Sequence, residues 1–134
     1  MSDDTRLGLV VTHRRYVPYS HAHYAGQLVD GAYVLGLFGD VATEACIRTD
    51  GDEGLFASYS DVQFVGALRA GDVVEARAEV IRVGRRSRDL EFTAHVISRG
   101  RPDLSESAAM MLDEPLLITT ARGTVVIPGS QISY

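Results

Sequence analysis

Apolar residues dominate the chain from Gly31 to Ile47, where Asp40 and Glu44 are the only charged side chains. A segment of helical length that is apolar nearly all round is predicted as a buried helix. Asp30 is placed as its N-cap, the helix runs to about Arg48, and Asp50-Gly51-Asp52-Glu53-Gly54 supplies the glycines and turn formers that end it. Beyond that point the period changes from helical to twofold. Val74, Ala76, Ala78 and Val80 alternate with Glu75, Arg77 and Glu79, and Leu90, Phe92, Ala94 and Val96 alternate with Asp89, Glu91, Thr93 and His95. Each pattern is that of a strand with one wet face. Leu7 to Val17 is read as a first strand, followed by a loop from Pro18 to Val29. Leu55 to Ala67 and Leu116 to Ile127 are read as further strands, with Ala70-Gly71-Asp72 as a turn. Arg101-Pro102-Asp103 is expected to open a short helical insert, with Asp103 and Glu106 as a capping box. One strand, one long helix and four later strands predict a single α+β domain, residues 1–134, in which an antiparallel sheet wraps around the central helix. Gly36, Gly39 and Thr43 recur at helical spacing and are expected to let the sheet approach that helix closely.

Composition narrows the setting. A chain of 134 residues with 46% hydrophobic content supports one core and is too short for two. No run of about 20 apolar residues is present, so no membrane partner is expected. The opening Met1-Ser2-Asp3-Asp4-Thr5-Arg6 is acidic, unlike a secretory leader, and a cytoplasmic home is expected. Cys46 is the only cysteine, which excludes an intrachain disulfide, and its apolar helical setting reads as a small buried hydrophobe. All 13 basic residues are arginines, so Schiff-base chemistry and pyridoxal phosphate attachment are excluded. A formal net charge of -5 argues against a nucleic-acid partner, which requires a broad cationic field. Arg82, Arg85, Arg86 and Arg88 nonetheless crowd around one glycine, Gly84.

The two carboxylates are the sharpest chemical feature. Spaced four residues apart, Asp40 and Glu44 project about 40° apart from one helix face. A carboxylate buried in such a helix is costly unless it is used or satisfied, and desolvation is expected to raise its pKa toward neutrality. The alternative for both is an ordinary solvated helix acid, Glu44 reaching water or pairing with Arg48 at i+4. His21 and His23 have metal-ligand spacing, but the further ligands a metal site requires are missing, so no metal is expected. His13, in the first strand, carries no expected chemistry. The chain has no Gly-x-Ser-x-Gly elbow, no phosphate-binding Walker loop and no dinucleotide glycine fingerprint.

Several motifs carry a family resemblance: His23-Tyr24, Leu28-Val29-Asp30-Gly31-Ala32, Leu37-Phe38-Gly39-Asp40-Val41-Ala42-Thr43-Glu44 and Asp50-Gly51-Asp52-Glu53-Gly54-Leu55-Phe56. Together with Ala70-Gly71-Asp72, Ser87-Arg88, Arg101-Pro102-Asp103, Glu114-Pro115 and Gly123-Thr124, they resemble the 3-aminobutyryl-CoA and β-alanyl-CoA ammonia-lyase family of hot-dog proteins. The resemblance implies a hot-dog fold and a homodimer or trimer of dimers, with an acyl-CoA substrate bound between subunits. It further implies reversible loss of ammonia from a β-aminoacyl-CoA, with no cofactor besides the coenzyme A of the substrate.

The residues can be matched to that chemistry. Elimination needs a base for the α-proton, donors for the developing enolate oxygen and a route out for the amine. Asp40 and Glu44 are candidates to divide the acid and base roles, in an order the sequence leaves open. The helix start at Gly31 and Ala32 offers backbone N–H donors, with Asp30 capping that end or orienting substrate. His23 either takes part in catalysis or, with Tyr24, contacts substrate or merely closes the loop over the helix start. Arg85, Arg86, Ser87 and Arg88 either bind the phosphates of coenzyme A or form a solvated hairpin turn. Water directed at the thioester or at Cβ would instead make a thioesterase or a hydratase, and a non-catalytic CoA-binding domain is a third reading.

Overall fold

A computed structural model describes residues 4–129, so the first three residues of the acidic opening lie outside the described part. Strand β1 (Val10–Tyr16) leads through two short 3-10 turns into helix α1 (Gly31–Asp50). Strands β2 (Leu55–Phe64), β3 (Val73–Val83), β4 (Ser87–Gly100) and β5 (Ala109–Val126) follow. They form one antiparallel five-stranded sheet in the order β1-β3-β4-β5-β2. The sheet wraps around α1 and makes a hot-dog fold. No helix among the described residues is long and apolar enough to cross a membrane.

Alternation places the core. Val74, Ala76, Ala78 and Val80 of β3, with Leu90, Phe92, Ala94 and Val96 of β4, turn inward and are buried. They meet a helical stripe of Val34, Leu37, Phe38, Val41, Ala42, Ala45 and Cys46 at i+3 and i+4 spacing. Phe38 stacks on Phe92 with ring centroids 4.9 Å apart. Truncating Phe38 to alanine would cost about 3–5 kcal/mol through the cavity left between sheet and helix. Gly123 on β5 leaves the room that the Phe56 and Phe92 rings fill, since a Cβ there would run into both.

Four expectations need correction. Gly36, Gly39 and Thr43 do not meet the sheet: a Cβ at Gly36 or Gly39 would find open space, and Gly36 is exposed. The buried stripe lies on the other side of the helix, so α1 is packed on one face rather than buried all round. Residues 101–108 form turns rather than a helical insert, and Asp103 is engaged by Arg101 (2.9 and 2.7 Å) instead of capping a helix. The loop closes through the Arg101 N–H to the Ala108 carbonyl (2.7 Å), which lets β5 begin at Ala109, well before Leu116. The helix, in turn, ends on Gly51, whose left-handed φ of 64° lets its N–H cap the Ile47 carbonyl at 2.9 Å.

Candidate active site

Asp30 caps α1, its Oδ1 accepting from the Tyr33 N–H at 3.3 Å. The N–H groups of Gly31 and Ala32 precede the first intrahelical bond and are left to solvent or a ligand. A cleft of about 380 Å³ opens at this end, lined by Tyr24, Leu28, Asp30, Gly31, Val34, Phe64, Gly66, Leu68, Ile118 and Thr119 among others. Gly31 admits the Phe64 ring against the helix start, where a Cβ would collide with it. At Gly66 a side chain has less room to be accommodated, because a Cβ there would meet the Leu117 carbonyl, a backbone atom. His23 stacks edge-on against Tyr24 at 4.6 Å, with its Nδ1 4.0 Å from Asp30 Oδ2. The cleft thus gathers Tyr24, Asp30 and Gly31, with His23 and Ala32 beside it.

The two helix carboxylates lie elsewhere and differ from each other. Asp40 is exposed on the face of α1 turned away from the sheet and makes no hydrogen bond or ion pair among the described residues. Burial, followed by the nearby Asp40 charge, pushes Tyr59 up to about 12, so its hydroxyl stays protonated and donates to the Leu35 carbonyl at 2.7 Å. Glu44 is only partly covered, its side chain 35% exposed, and both its oxygens are occupied: Oε1 by His13 Nε2 at 2.8 Å and Oε2 by Arg48 at 2.7 Å. The buried, pKa-raised pair expected from the sequence is therefore corrected. The His13 hydrogen bond, aided by Arg48, holds Glu44 below the usual carboxylate range.

His13 was assigned no chemistry from sequence, yet it shares the inward face of β1 with Val11, two residues earlier. That parity was the available signal. Its Nδ1 lies 3.4 Å from Arg15 Nη2; arginine has no acceptor, so in the neutral ring the proton sits on Nε2 and points at Glu44.

The arginine cluster divides as well. Arg88 is 3% exposed, with Nε and Nη2 gripping Asp50 at 3.0 and 2.7 Å and Nη1 donating to the Gly84 and Ser87 carbonyls. It ties the β3–β4 hairpin to the end of α1 and is not free to meet a phosphate, which corrects its assignment as a CoA ligand. Arg85 and Arg86 are exposed and without side-chain partners among the described residues, and Ser87 is half-buried. Arg82 pairs with Asp89 at 3.4 Å. Cys46 is buried, which pushes its thiol up to about 11 and keeps it unreactive. Among the described residues no cluster of three or more His, Cys, Asp or Glu is placed to hold a metal.

One chain thus carries three separate parts. From the helix rise, Asp40 lies roughly 14 Å along α1 from the cleft at Gly31, and the hairpin arginines sit at the opposite end, near Asp50.

Residues 27–101 match the Thioesterase superfamily. The chain is 46% identical over 107 residues to a 3-aminobutyryl-CoA ammonia lyase of Acetoanaerobium sticklandii, a match covering 80% of this chain and 85% of that protein. The solved structure of β-alanyl-CoA:ammonia lyase from Clostridium propionicum superposes with a TM-score of 0.85 at 32% identity, over 90% of this chain and 86% of that one. A hexameric hot-dog thioesterase of Campylobacter jejuni shares the fold at 17% identity, with a TM-score of 0.72 over 87% of this chain and 81% of that one. The chain belongs to the Thioesterase superfamily and, within it, to the family of the 3-aminobutyryl-CoA and β-alanyl-CoA ammonia lyases.

Proposed function

We propose that the protein is a carbon–nitrogen lyase that reversibly eliminates ammonia from a short β-aminoacyl-CoA, 3-aminobutyryl-CoA or β-alanyl-CoA, to give the α,β-unsaturated acyl-CoA. The observation that carries this reading is an exposed Asp40, without a partner among the described residues, on the central helix of a chain 46% identical to a 3-aminobutyryl-CoA ammonia lyase. Asp40 takes the α-proton. Negative charge moves onto the thioester oxygen, which the Gly31 and Ala32 N–H groups and the positive end of α1 stabilise. The Cα–Cβ double bond then forms as the C–N bond breaks, and the β-ammonium group leaves as ammonia. Glu44, engaged on both oxygens, is a poor base and acts as a positioning residue within the His13–Glu44–Arg48 network. The reading requires no cofactor beyond the coenzyme A of the substrate. The CoA thioester of this reading fits a cytoplasmic setting.

The site is completed between two copies of the chain, with Asp40 of one serving the cleft of the other. Support comes from the gap between Asp40 and the cleft, the exposed outer face of α1, and the edge of β2, which among the described residues pairs with β5 alone. Exposed Arg85 and Arg86 then hold the phosphates of coenzyme A. A dimer, or a trimer of dimers, satisfies this arrangement.

The deciding experiment is mass spectrometry of a panel of enoyl-CoA substrates with and without ammonium. Ammonia addition to crotonyl-CoA or acryloyl-CoA is expected. Thioester cleavage, which the superfamily match favours as a second reading, gives free thiol, and hydration gives the β-hydroxyacyl-CoA. Complementation tests the shared site: Asp40→Asn and cleft-blocked Gly31→Leu copies, mixed after reversible dissociation, should recover about a quarter of wild-type activity. No recovery in confirmed mixed oligomers would place the whole site in one chain.

A further inference from the structure

A second cavity, of about 210 Å³, lies next to the cleft and is used by none of the chemistry above; Tyr19, Gln27, Arg69, Arg99 and Pro102 line it, over buried Asp72. In an acidic protein most guanidiniums find a partner, and here all but Arg69, Arg85 and Arg86 bond to a carboxylate, a carbonyl or a ring nitrogen among the described residues. Arg85 and Arg86 sit at the far end of the helix. Arg69 stands alone at this cavity.

The polar wall is built. Asp72 accepts from the Arg69 N–H at 2.7 Å and from Arg99 Nε and Nη2 at 3.0 and 2.9 Å, and Arg99 Nη2 also reaches the Ala67 carbonyl. Asp72 therefore balances Arg99, whose Nη1 has no partner among the described residues, and the Arg69 charge is left over. Gln27 adopts a left-handed φ of 69°, a conformation unusual for a non-glycine residue and held by the Ala70 N–H on its carbonyl at 2.9 Å. Tyr19 and Pro102 add flatter, less polar surface. An exposed arginine without an ion-pair partner among the described residues, beside the neutral Asp72–Arg99 pair at the rim of a cavity of this size, suits a single small anion.

We propose that this cavity binds a small oxyanion, a phosphate or a short carboxylate, through Arg69 and the free Nη1 of Arg99, as a site separate from the acyl-CoA cleft. The two sites share a wall. Leu28 and Leu68 line the cleft, Gln27 and Arg69 line the cavity, and the segments are joined by the Leu28–Arg69 bridge and by the Val29 N–H to the Leu68 carbonyl at 2.9 Å. A bound anion would brace that wall.

Isothermal titration of the intact oligomer with inorganic phosphate and, separately, with acetate tests the site. The Arg14→Ala variant serves as a charge-matched control, because Arg14 pairs with Glu75 elsewhere. Saturable binding with Kd near or below about 1 mM is expected, weakened at least about tenfold in Arg69→Ala and unchanged in Arg14→Ala. Binding of one anion alone names its class, and binding of both supports a general oxyanion site. Absence of saturable binding, or equal binding by wild type and Arg69→Ala, would overturn the proposal. Because the readout is binding, this result is independent of whether ammonia elimination is observed.

Discussion

The first half of α1, with its cap, and the second half each carry two carboxylates, and they treat them differently. In the first half, Asp30 caps the helix with His23 Nδ1 4.0 Å from its Oδ2, and Asp40, further along, faces outward without a partner among the described residues. Toward the other end, Glu44 is held by His13 and Arg48, and Asp50 by Arg88, Arg6 and Thr49. The same residue types are left open at Asp40 in one half and fastened by ion pairs at Glu44 and Asp50 in the other. What separates them is the neighbouring strand: β1 presents His13 to Glu44, and the β3–β4 hairpin folds Arg88 back onto Asp50, whereas no group among the described residues bonds to Asp40.

The comparison can be broken most directly at Asp40. Asp40→Asn is expected to slow elimination by about 10²–10⁴-fold while the fold and KM are little changed. A variant retaining full rate would remove Asp40 as the base. At the fastened end, Arg88→Ala leaves Asp50 without its main partner in a nearly buried place, and is expected to cost about 3–5 kcal/mol in urea unfolding. A loss below about 1 kcal/mol would make that network no more than a surface ion pair. Between these extremes, Arg85→Ala and Arg86→Ala together should weaken CoA binding about tenfold and flatten its salt dependence without changing unfolding. Arg88 is unsuited to that test because its loss also affects stability.

The smallest effects belong to Glu44. Glu44→Gln should lower kcat by less than about tenfold, since one hydrogen bond to His13 is weakened rather than a base removed. Its pKa is lowered in the folded protein, so its contribution to stability is present above the unfolded value of about 4.3 and fades as pH falls through the lowered folded value. Asp50, lowered chiefly by Arg88, behaves in the same sense. Acid unfolding followed by circular dichroism should therefore show a gentler loss of stability below about pH 4 in Glu44→Gln. An unchanged acid limb would mean that the His13 contact contributes nothing.

Much of the architecture was readable from local pattern. The twofold alternation of Val74 to Val80 and Leu90 to Val96 gave two central strands and their buried face, because a strand's side chains have only two directions to point. Asp30 and the glycine after Asp50 marked the helix ends, since caps satisfy backbone groups within a few residues of themselves. The family motifs pointed to the chemistry. What sequence alone could not assign was which way the helix faced. Gly36, Gly39 and Asp40 looked like packing residues and a buried acid because the helix is apolar nearly all round, so its pattern has no single preferred face.

Packing settled that choice: the stripe from Val34 to Cys46 meets β3 and β4, and Asp40 is left outside. The roles of His13, Arg69 and Arg88 likewise depend on groups distant in the chain. His13 meets Glu44, 31 residues later, and Arg88 meets Asp50, 38 residues earlier. By itself, then, the sequence determined the central strands, the helix and the candidate acids, but not where the last strand begins. Only the tertiary structure decided which acids are fastened and which remain free, because a charged group's role is fixed by the long-range partners that folding brings to it.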